Sequence, residues 1–438
     1  MVKKSRFPGI FFGWWIVLAS GILTLWGNGF GNFGFAPLFK PIASELGFSR
    51  AATSVAPSVA QVERGFLSPI SGWISDRFGP RGMVLVGIVI IGLSLMLMKF
   101  VNSLWTFYLV WGVLLGAGAN IGLTVPLDKT VTNWFVRKRG RALSIKFIFN
   151  ASGSILMVPL IAWLISEQGW RNTCFIGGVV MLVMGLPIAW FFIKQNRPEY
   201  YGLLPDGVAI EKTEKITQTI DRGIKYAADA QEVEFTLRQA IKTPAFWLVT
   251  VAVAGFNMVG SVFVIHGVPF LSDMGIDPVK AAIMVGLMSA GVIPGAFISM
   301  FTADRIKKEL MRFLVVGAYT IHIIALVVFL LNPILSIAYP LFFIHHFVAG
   351  IHGSLTTIIM ARYFGRKAFG SIRGISIMCL LPALVASPIY AGWVFDTTGS
   401  YITVFLLCGV AVTVSMFAML LAVPSKPPAH ISDIHKIF

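Results

Sequence analysis

Five ionisable side chains stand inside long apolar runs of this sequence, where each needs a partner or a task. They are Glu63, Arg64, Asp128, Lys129 and Lys146. A charge at the centre of a lipid bilayer costs at least about 2.5–3.5 kcal/mol. Such residues therefore form ion pairs between helices, or they contact a solute or a proton. Neighbours on a helix project about 100° apart, so Glu63 and Arg64 do not face each other.

Each of these charges has two interpretations. Glu63 carries a proton or belongs to a fixed ion pair, and Arg64 binds a solute or holds helices together. Asp128 and Lys146 come from neighbouring runs at similar depth and are expected to bridge them, which would leave Lys129 free to attract an anion. The five charges sum to +1, which favours an anionic solute over a cationic one.

The composition excludes most soluble classes of protein. Of the 438 residues, 56% are hydrophobic and 12% are charged, and the mean hydropathy is +0.81. A soluble domain carries about 25% charged residues. A soluble enzyme, a nucleic-acid binder and a disordered chain are therefore poor interpretations despite the net charge of +16. Three cysteines within apolar runs offer no disulfide framework and no metal-ligand spacing. We expect no catalytic residues, no cofactor and no metal site.

Twelve apolar runs are long enough to span a bilayer, which needs about 20 residues per helix. This predicts an all-α membrane protein of 12 transmembrane helices. The runs are approximately 10–39, 49–75, 82–101, 104–128, 141–166, 172–194, 245–272, 279–303, 311–332, 334–362, 368–395 and 400–423.

The basic residues orient these spans. With twelve spans, the termini and the even-numbered connections share one side, and that side holds 27 Lys and Arg residues against five on the other. The positive-inside rule therefore predicts that both termini and the long connection at 195–244 are cytoplasmic. We expect a multi-pass protein of the cell (inner) membrane.

The two halves of the chain repeat each other. Asp76-Arg77 recurs as Asp304-Arg305, 228 residues later, and Phe135 and Pro159 recur at Phe364 and Pro388 at an offset of 229. We predict an N-terminal six-helix bundle at 1–194, a cytoplasmic linker at 195–244, and a C-terminal six-helix bundle with a short tail at 245–438. Thr236-Leu-Arg-Gln239 fits a capping box and predicts a short helix, lying on the membrane surface or simply within the linker, that Pro244 would stop. Halves in parallel orientation rock around a site at the midplane in many transporters.

The connection after the second span carries a specific motif. The segment Gly72-Trp-Ile-Ser-Asp-Arg-Phe-Gly-Pro-Arg81 resembles the loop signature of the major facilitator superfamily, with a degraded second copy in which Met300 replaces the glycine. The glycine permits close helix approach, the aspartate accepts hydrogen bonds from helix ends, and the arginines bind lipid headgroups or that aspartate. We expect a latch that closes the cytoplasmic side. Its residues are Gly72, Asp76, Arg77, Gly79, Arg81, Asp304 and Arg305.

Other segments resemble the oxalate/formate antiporter and monocarboxylate porter group. They are Phe12-Gly-Trp-Trp, Trp134-Phe-Val-Arg-Lys-Arg-Gly, Thr243-Pro-Ala-Phe-Trp and Asp396-Thr-Thr-Gly-Ser-Tyr. That group carries a substrate-binding arginine in span eight, where this chain has Ala296. Its animal members carry a lysine in span one, where this chain offers Asn28 and Asn32. The carboxylate ligands of the relatives therefore do not transfer.

In this superfamily spans one, four, seven and ten line the central cavity, which completes the set of candidate residues. For substrate we select Asn28, Asn32, Arg64, Lys129, Asn150, His266, His346 and His352, and for the proton Glu63 and His266. A buried histidine can change charge near neutral pH, but it is more often a packing residue.

We therefore expect a monomeric secondary transporter of a small organic anion, a carboxylate, driven by protons or by exchange with a counter-anion. It lies in the lipid bilayer and has no nucleic-acid partner. The alternative is an exporter of amphipathic or drug-like compounds. Span five, from Asn150 to Pro159, lacks the Gly-Pro-rich motif common in proton-driven drug exporters.

Overall fold

The computed structural model describes residues 10–48, 50–208, 216–230 and 232–426, and for 50, 51, 54, 278, 279 and 282 it describes the backbone only. Within these ranges the chain is helical, without a strand. Every predicted span is a helix. The long helices are Phe12–Asn28 continued by Phe35–Leu46, Arg50–Phe78, Pro80–Leu97, Val125–Trp134 as the last part of Leu104–Trp134, Arg139–Val180, Leu186–Phe192, Pro244–Asp273, Pro278–Ser289, Val292–Thr302, Met311–Leu331, Leu335–Phe364, Phe369–Thr398 and Ile402–Leu421.

Nine helices in the described part of the chain are long and apolar enough to cross a membrane. One of them, Arg139–Phe192, is broken at Gly169, where φ is +73°, and so supplies spans five and six. Span one, Phe12–Asn28 followed by the π-helical turn Gly29–Phe33, lies outside this set of nine. Span two, Arg50–Phe78, is long, but its charged and small polar residues lower its hydropathy. The nine helices thus supply ten spans, and spans one and two, which are also helical, complete the twelve.

The linker, residues 195–244, contains more structure than the sequence predicted. The capping box between Thr236 and Gln239 is present and begins the helix Leu237–Ala240. Pro244 does not stop that helix; it is the first residue of span seven, with Thr243 as the cap, because proline fits the first turn of a helix. A second linker helix, Ile216–Asp229, was not predicted.

The two halves meet chiefly along two helix pairs. Span two packs against span eleven, and span five packs against span eight. One buried apolar cluster draws only on the first six spans. A second is built mainly from the last six and is joined by residues of spans one, four and five near the linker. We refer to the end of the bundle that touches the linker as the linker end.

Candidate substrate cavity and gate

A cavity of about 740 Å³ lies between the two halves. Spans one, two, four and five line it from the first half, and spans seven, ten and eleven from the second. Its polar lining residues are Thr24, Asn28, Ser58, Gln61, Arg64, Thr124, Asp128, Lys146, Asn150, Asn257, Ser261, His345, His346, His352, Ser354, Thr356, Thr357 and Arg373. The size is that of a small-molecule site.

Two arginines face this cavity, one from each half. Arg64 of span two and Arg373 of span eleven lie close enough for their charges to repel. Arg373 donates a hydrogen bond to Oγ1 of Thr357 at 3.1 Å, and its Nε is buried without a partner in the described residues. Among those residues neither guanidinium forms an ion pair. Together with Asp128 and Lys146, the charged side chains of the described lining therefore sum to +2.

The cavity's carboxylate is already neutralised. Asp128 acts on both arginines, but its Oδ1 lies 2.5 Å from Nζ of Lys146. This is the bridge between spans four and five that the sequence predicted. Nearby, the amide of Asn28 donates to Oδ1 of Asn150 at 2.7 Å. This wall of the cavity consequently presents amides and a closed ion pair.

Two of the candidate histidines line the cavity. The ring of His352 is bonded to the hydroxyl of Tyr319 at 2.7 Å and to the amide of Asn257 at 3.2 Å. His346 is bonded to Ser289 Oγ at 3.2 Å and to the backbone carbonyl of Phe342 at 2.8 Å. These hydrogen bonds fix the orientation of both imidazole rings.

Other candidates do not reach the cavity lining. His266 bonds to the Tyr401 hydroxyl at 3.1 Å and the Pro388 carbonyl at 2.9 Å, and Asn32 is exposed. Glu63 lies in the contact between spans two and four, against Gly116, and its Oε2 has no hydrogen-bond partner among the described residues. Lys129 is not free, as explained below.

Asp76 joins the halves at the linker end. Its carboxylate accepts hydrogen bonds from the backbone N–H groups of Gly370 and Ser371, at 3.0 and 2.7 Å, and from the Ser371 hydroxyl at 2.7 Å. These groups form the first turn of span eleven, where a negative charge is favourable. Nζ of Lys129 lies 2.7 Å from the same carboxylate and also bonds to the carbonyls of Arg366 and Lys367. Lys129 thus belongs to this contact.

Asp304 makes the corresponding contact in the opposite direction. It accepts hydrogen bonds from the backbone N–H groups of Gly140 and Arg141, at 2.7 and 3.0 Å, in the first turn of span five. Arg362 lies 3.3 Å from its Oδ1. Burial raises the pKa of Asp304 above its ordinary value, although the N–H groups and Arg362 oppose that rise.

Two arginines cross between the halves at the same end. Arg139 donates to the backbone carbonyl of Ala361, near the end of span ten, at 2.9 Å. Arg366 donates to that of Asn133, near the end of span four, at 3.0 Å. A helix C-terminus attracts positive charge. Together with Asp76 and Asp304, these contacts close the linker end, and we refer to the four residues as the gate.

The sequence profile of the Major Facilitator Superfamily matches residues 21–380. This chain belongs to the major facilitator superfamily. It is similar to an uncharacterised MFS-type transporter, YcxA, of Bacillus subtilis, with 24% identity over 92% of this chain and 93% of that protein. It is also similar to monocarboxylate transporter 12 of Xenopus laevis, with 24% identity over 91% and 85% of the two chains.

Among solved structures, the chain resembles the proton:xylose symporter XylE with a TM-score of 0.71, at 13% identity, over 93% of this chain and 95% of that one. This likeness concerns the fold. Members of the major facilitator superfamily are membrane transporters, so this protein is a transporter and not an enzyme.

Only some residues of the superfamily signature, Gly72 to Arg81, take part in the contacts of the gate. Gly72 is essential to the packing, because a Cβ there would lie 2.1 Å from the Gly370 carbonyl oxygen. Gly79 has φ of +84° and opens span three. Arg77 lies beside the rings of Trp73 and Phe78, and Arg81 stacks on Trp190. Neither arginine pairs with Asp76.

Sequence reasoning missed several residues of the site. Arg362 is the second-half arginine that binds Asp304, and it was not selected. Arg305, which was selected for that role, is exposed. Arg373 was not among the candidate residues, although it lies inside the predicted run 368–395 and in the first turns of span eleven, Phe369–Thr398. That position was the available signal. Nothing in the sequence predicted the crossing of Arg139 and Arg366, which depends on long-range contacts.

Proposed function

We propose that this transporter moves a small organic anion, a carboxylate, by alternating access of two halves, residues 1–194 and 245–438, around the central cavity. The observation that carries the proposal is the pair Arg64 and Arg373. Each half contributes one guanidinium to the same cavity, and neither has an ion pair among the described residues. An anion bound between them would link the two halves through its own charge.

The chemistry of the lining agrees with this substrate class. A guanidinium binds a carboxylate through two parallel hydrogen bonds, and the Asn28 and Asn150 amides offer uncharged contacts beside it. Span eight has Ala296 where the porter group carries its arginine, and Arg373 of span eleven would take that role. The similarity to proteins named monocarboxylate transporters supports the same class.

Transport would be coupled to a proton or to a counter-anion. Glu63 is the proposed proton carrier because its carboxyl is partly buried and lacks an ion pair among the described residues. His352 and His346 are the alternatives within the cavity, and His266 lies outside it. In the exchange mode, a second carboxylate would occupy the same arginine pair on the return step.

We further propose that the transporter is a monomer in the cell (inner) membrane, with its linker end and both termini in the cytoplasm. A cysteine at Thr217, which is exposed in the linker helix, should react only with reagents inside the cell. Cysteines at Ser5 and Ser432, which lie outside the described residues, should behave alike. Labelling of any of the three from outside would contradict this orientation.

The substrate class is tested with the purified protein. Carboxylates, sugars, amino acids, phosphonates and amphipathic cations are compared by thermal shift, and the best compound is titrated. Arg64→Gln and Arg373→Gln should each weaken carboxylate binding roughly 10- to 100-fold, since a hydrogen bond to a charged group contributes about 1.5–3 kcal/mol. Lys40→Gln, at an exposed site remote from the cavity, is the control. Stabilisation by amphipathic cations alone would favour the exporter alternative.

A further inference from the structure

The linker supplies charge to the gate that neither half provides. Glu232 of the linker lies between the gate arginines, with its Oε1 2.5 Å from Arg139 and its Oε2 3.0 Å from Arg366. Glu199, also in the linker, lies 3.4 Å from Arg366. The four side chains are at most 7% exposed and together carry no net charge.

The burial makes this arrangement dependent on the linker. Two guanidiniums buried side by side repel each other, and each is costly without a carboxylate. Burial alone would raise the pKa of Glu232, but Arg366 and Arg139 more than offset this and lower it, so Glu232 is ionised. The chain around it is fixed as well: the Phe235 N–H donates to the Phe364 carbonyl at 3.0 Å, and a Cβ at Gly365 would lie 1.7 Å from the Val233 carbonyl oxygen.

We propose that Glu232 is a positioning residue of the transport cycle: the linker carboxylate holds the two gate arginines together and must leave at least one of them each time the linker end opens. The linker is then a working part of the gate. Arg139 belongs to the first half and Arg366 to the second, so their separation breaks at least one of the two contacts. This inference rests on the rocking of the halves and is independent of the substrate.

The neighbouring glutamate offers a matched control. Glu234 pairs with Arg197 at 2.6 Å, and both residues belong to the linker. That pair does not bridge the halves. Glu232→Gln and Glu234→Gln therefore remove the same charge two residues apart, and only the first removes a bridge.

The experiment measures opening directly, without substrate. Spin labels on Phe78→Cys and Lys367→Cys, both exposed at the linker end, report the distance between the halves in the full-length protein. Glu232→Gln should lower the ratio of closed to open molecules by about tenfold or more, because the gate arginines lose their shared carboxylate. Glu234→Gln should leave this ratio near the wild-type value. An unchanged ratio in Glu232→Gln, or equal shifts in both variants, would overturn the proposal.

A second variant guards against misfolding. If Glu232→Gln does not fold, Glu232→Asp keeps the charge but shortens its reach and should give a partial shift toward open molecules; a wild-type ratio would refute the proposal. Transport assays with carboxylates then test the substrate proposal independently of the gate.

Discussion

Asp76 and Asp304 each cap a helix of the opposite half. Asp76 binds the first turn of span eleven, and Asp304 binds the first turn of span five. The two contacts are related by the internal repeat of the sequence. They differ in their cations, which are Lys129 for Asp76, and Arg362 with the more distant Arg141 for Asp304. Closure of the linker end is therefore nearly symmetric in its backbone contacts and asymmetric in its charges.

Removal of the charge at Asp76 should open the gate without unfolding the protein. Asp76→Asn loses the attraction to Lys129 and weakens the helix cap, which together contribute about 1–3 kcal/mol. The same spin-label pair should report a larger open population, and the melting temperature should change little. Asp304→Asn is expected to act in the same direction. Unchanged populations and unchanged transport in Asp76→Asn would reduce the motif to a marker of lineage.

The close contact of spans two and eleven should not tolerate a methyl group. In Gly72→Ala the new Cβ would meet the Gly370 carbonyl oxygen at 2.1 Å, and backbone on both sides cannot yield cheaply. Overpacking of this kind costs about 1–3 kcal/mol, so the closed state should lose population. Gly82→Ala is the control because nothing lies within 4 Å of its added Cβ. Equal behaviour of the two variants would argue against the contact.

The ion pair between Asp128 and Lys146 should be costly to break from one side. Asp128→Asn leaves a nearly buried ammonium without its partner, and we expect a loss of about 3 kcal/mol in stability. The double variant with Lys146→Met should recover part of that loss. Unfolding midpoints of the two single variants and the double variant give the coupling energy. If the changes in stability of the two single variants simply add up in the double variant, the ion pair contributes nothing to stability.

Glu63→Gln tests proton coupling. Glutamine has the shape of the protonated carboxyl and should fit against Gly116 as glutamate does. Uptake driven by a pH gradient should be abolished, whereas exchange of labelled substrate in proteoliposomes should continue. Glu45→Gln, near the end of the molecule that lies away from the linker, is the control. Normal pH-driven uptake would remove Glu63 from the mechanism, and misfolding would favour a structural role and pass the coupling to His266 or His352.

The contact of Glu232 should be insensitive to pH near neutrality. Its pKa in the closed gate is below the ordinary value of 4.5. Closure is therefore stabilised in full above about 4.5, and this contribution is lost as the pH falls through the lowered pKa. The difference in open population between wild type and Glu232→Gln should be constant from about pH 6 to 8. A difference that vanishes within that range would contradict the assignment.

The sequence determined the spans, the internal repeat and the family, because hydropathy and short motifs are local properties. It also predicted that Asp128 and Lys146 would pair, since both stand at similar depth in consecutive spans. Asp76 was correctly expected to accept hydrogen bonds from a helix end. None of these inferences depends on how a helix is oriented about its own axis relative to helices distant in sequence.

Tertiary structure alone decided which side chains share a space. Lys129 and Asp128 are adjacent, yet one faces the gate and the other the cavity. Arg373 reaches the cavity because span eleven packs against span two, and Glu232 reaches the gate because the linker runs between the halves. A side chain's direction depends on how helices far apart in sequence pack together, and hydropathy within one span carries no record of that packing.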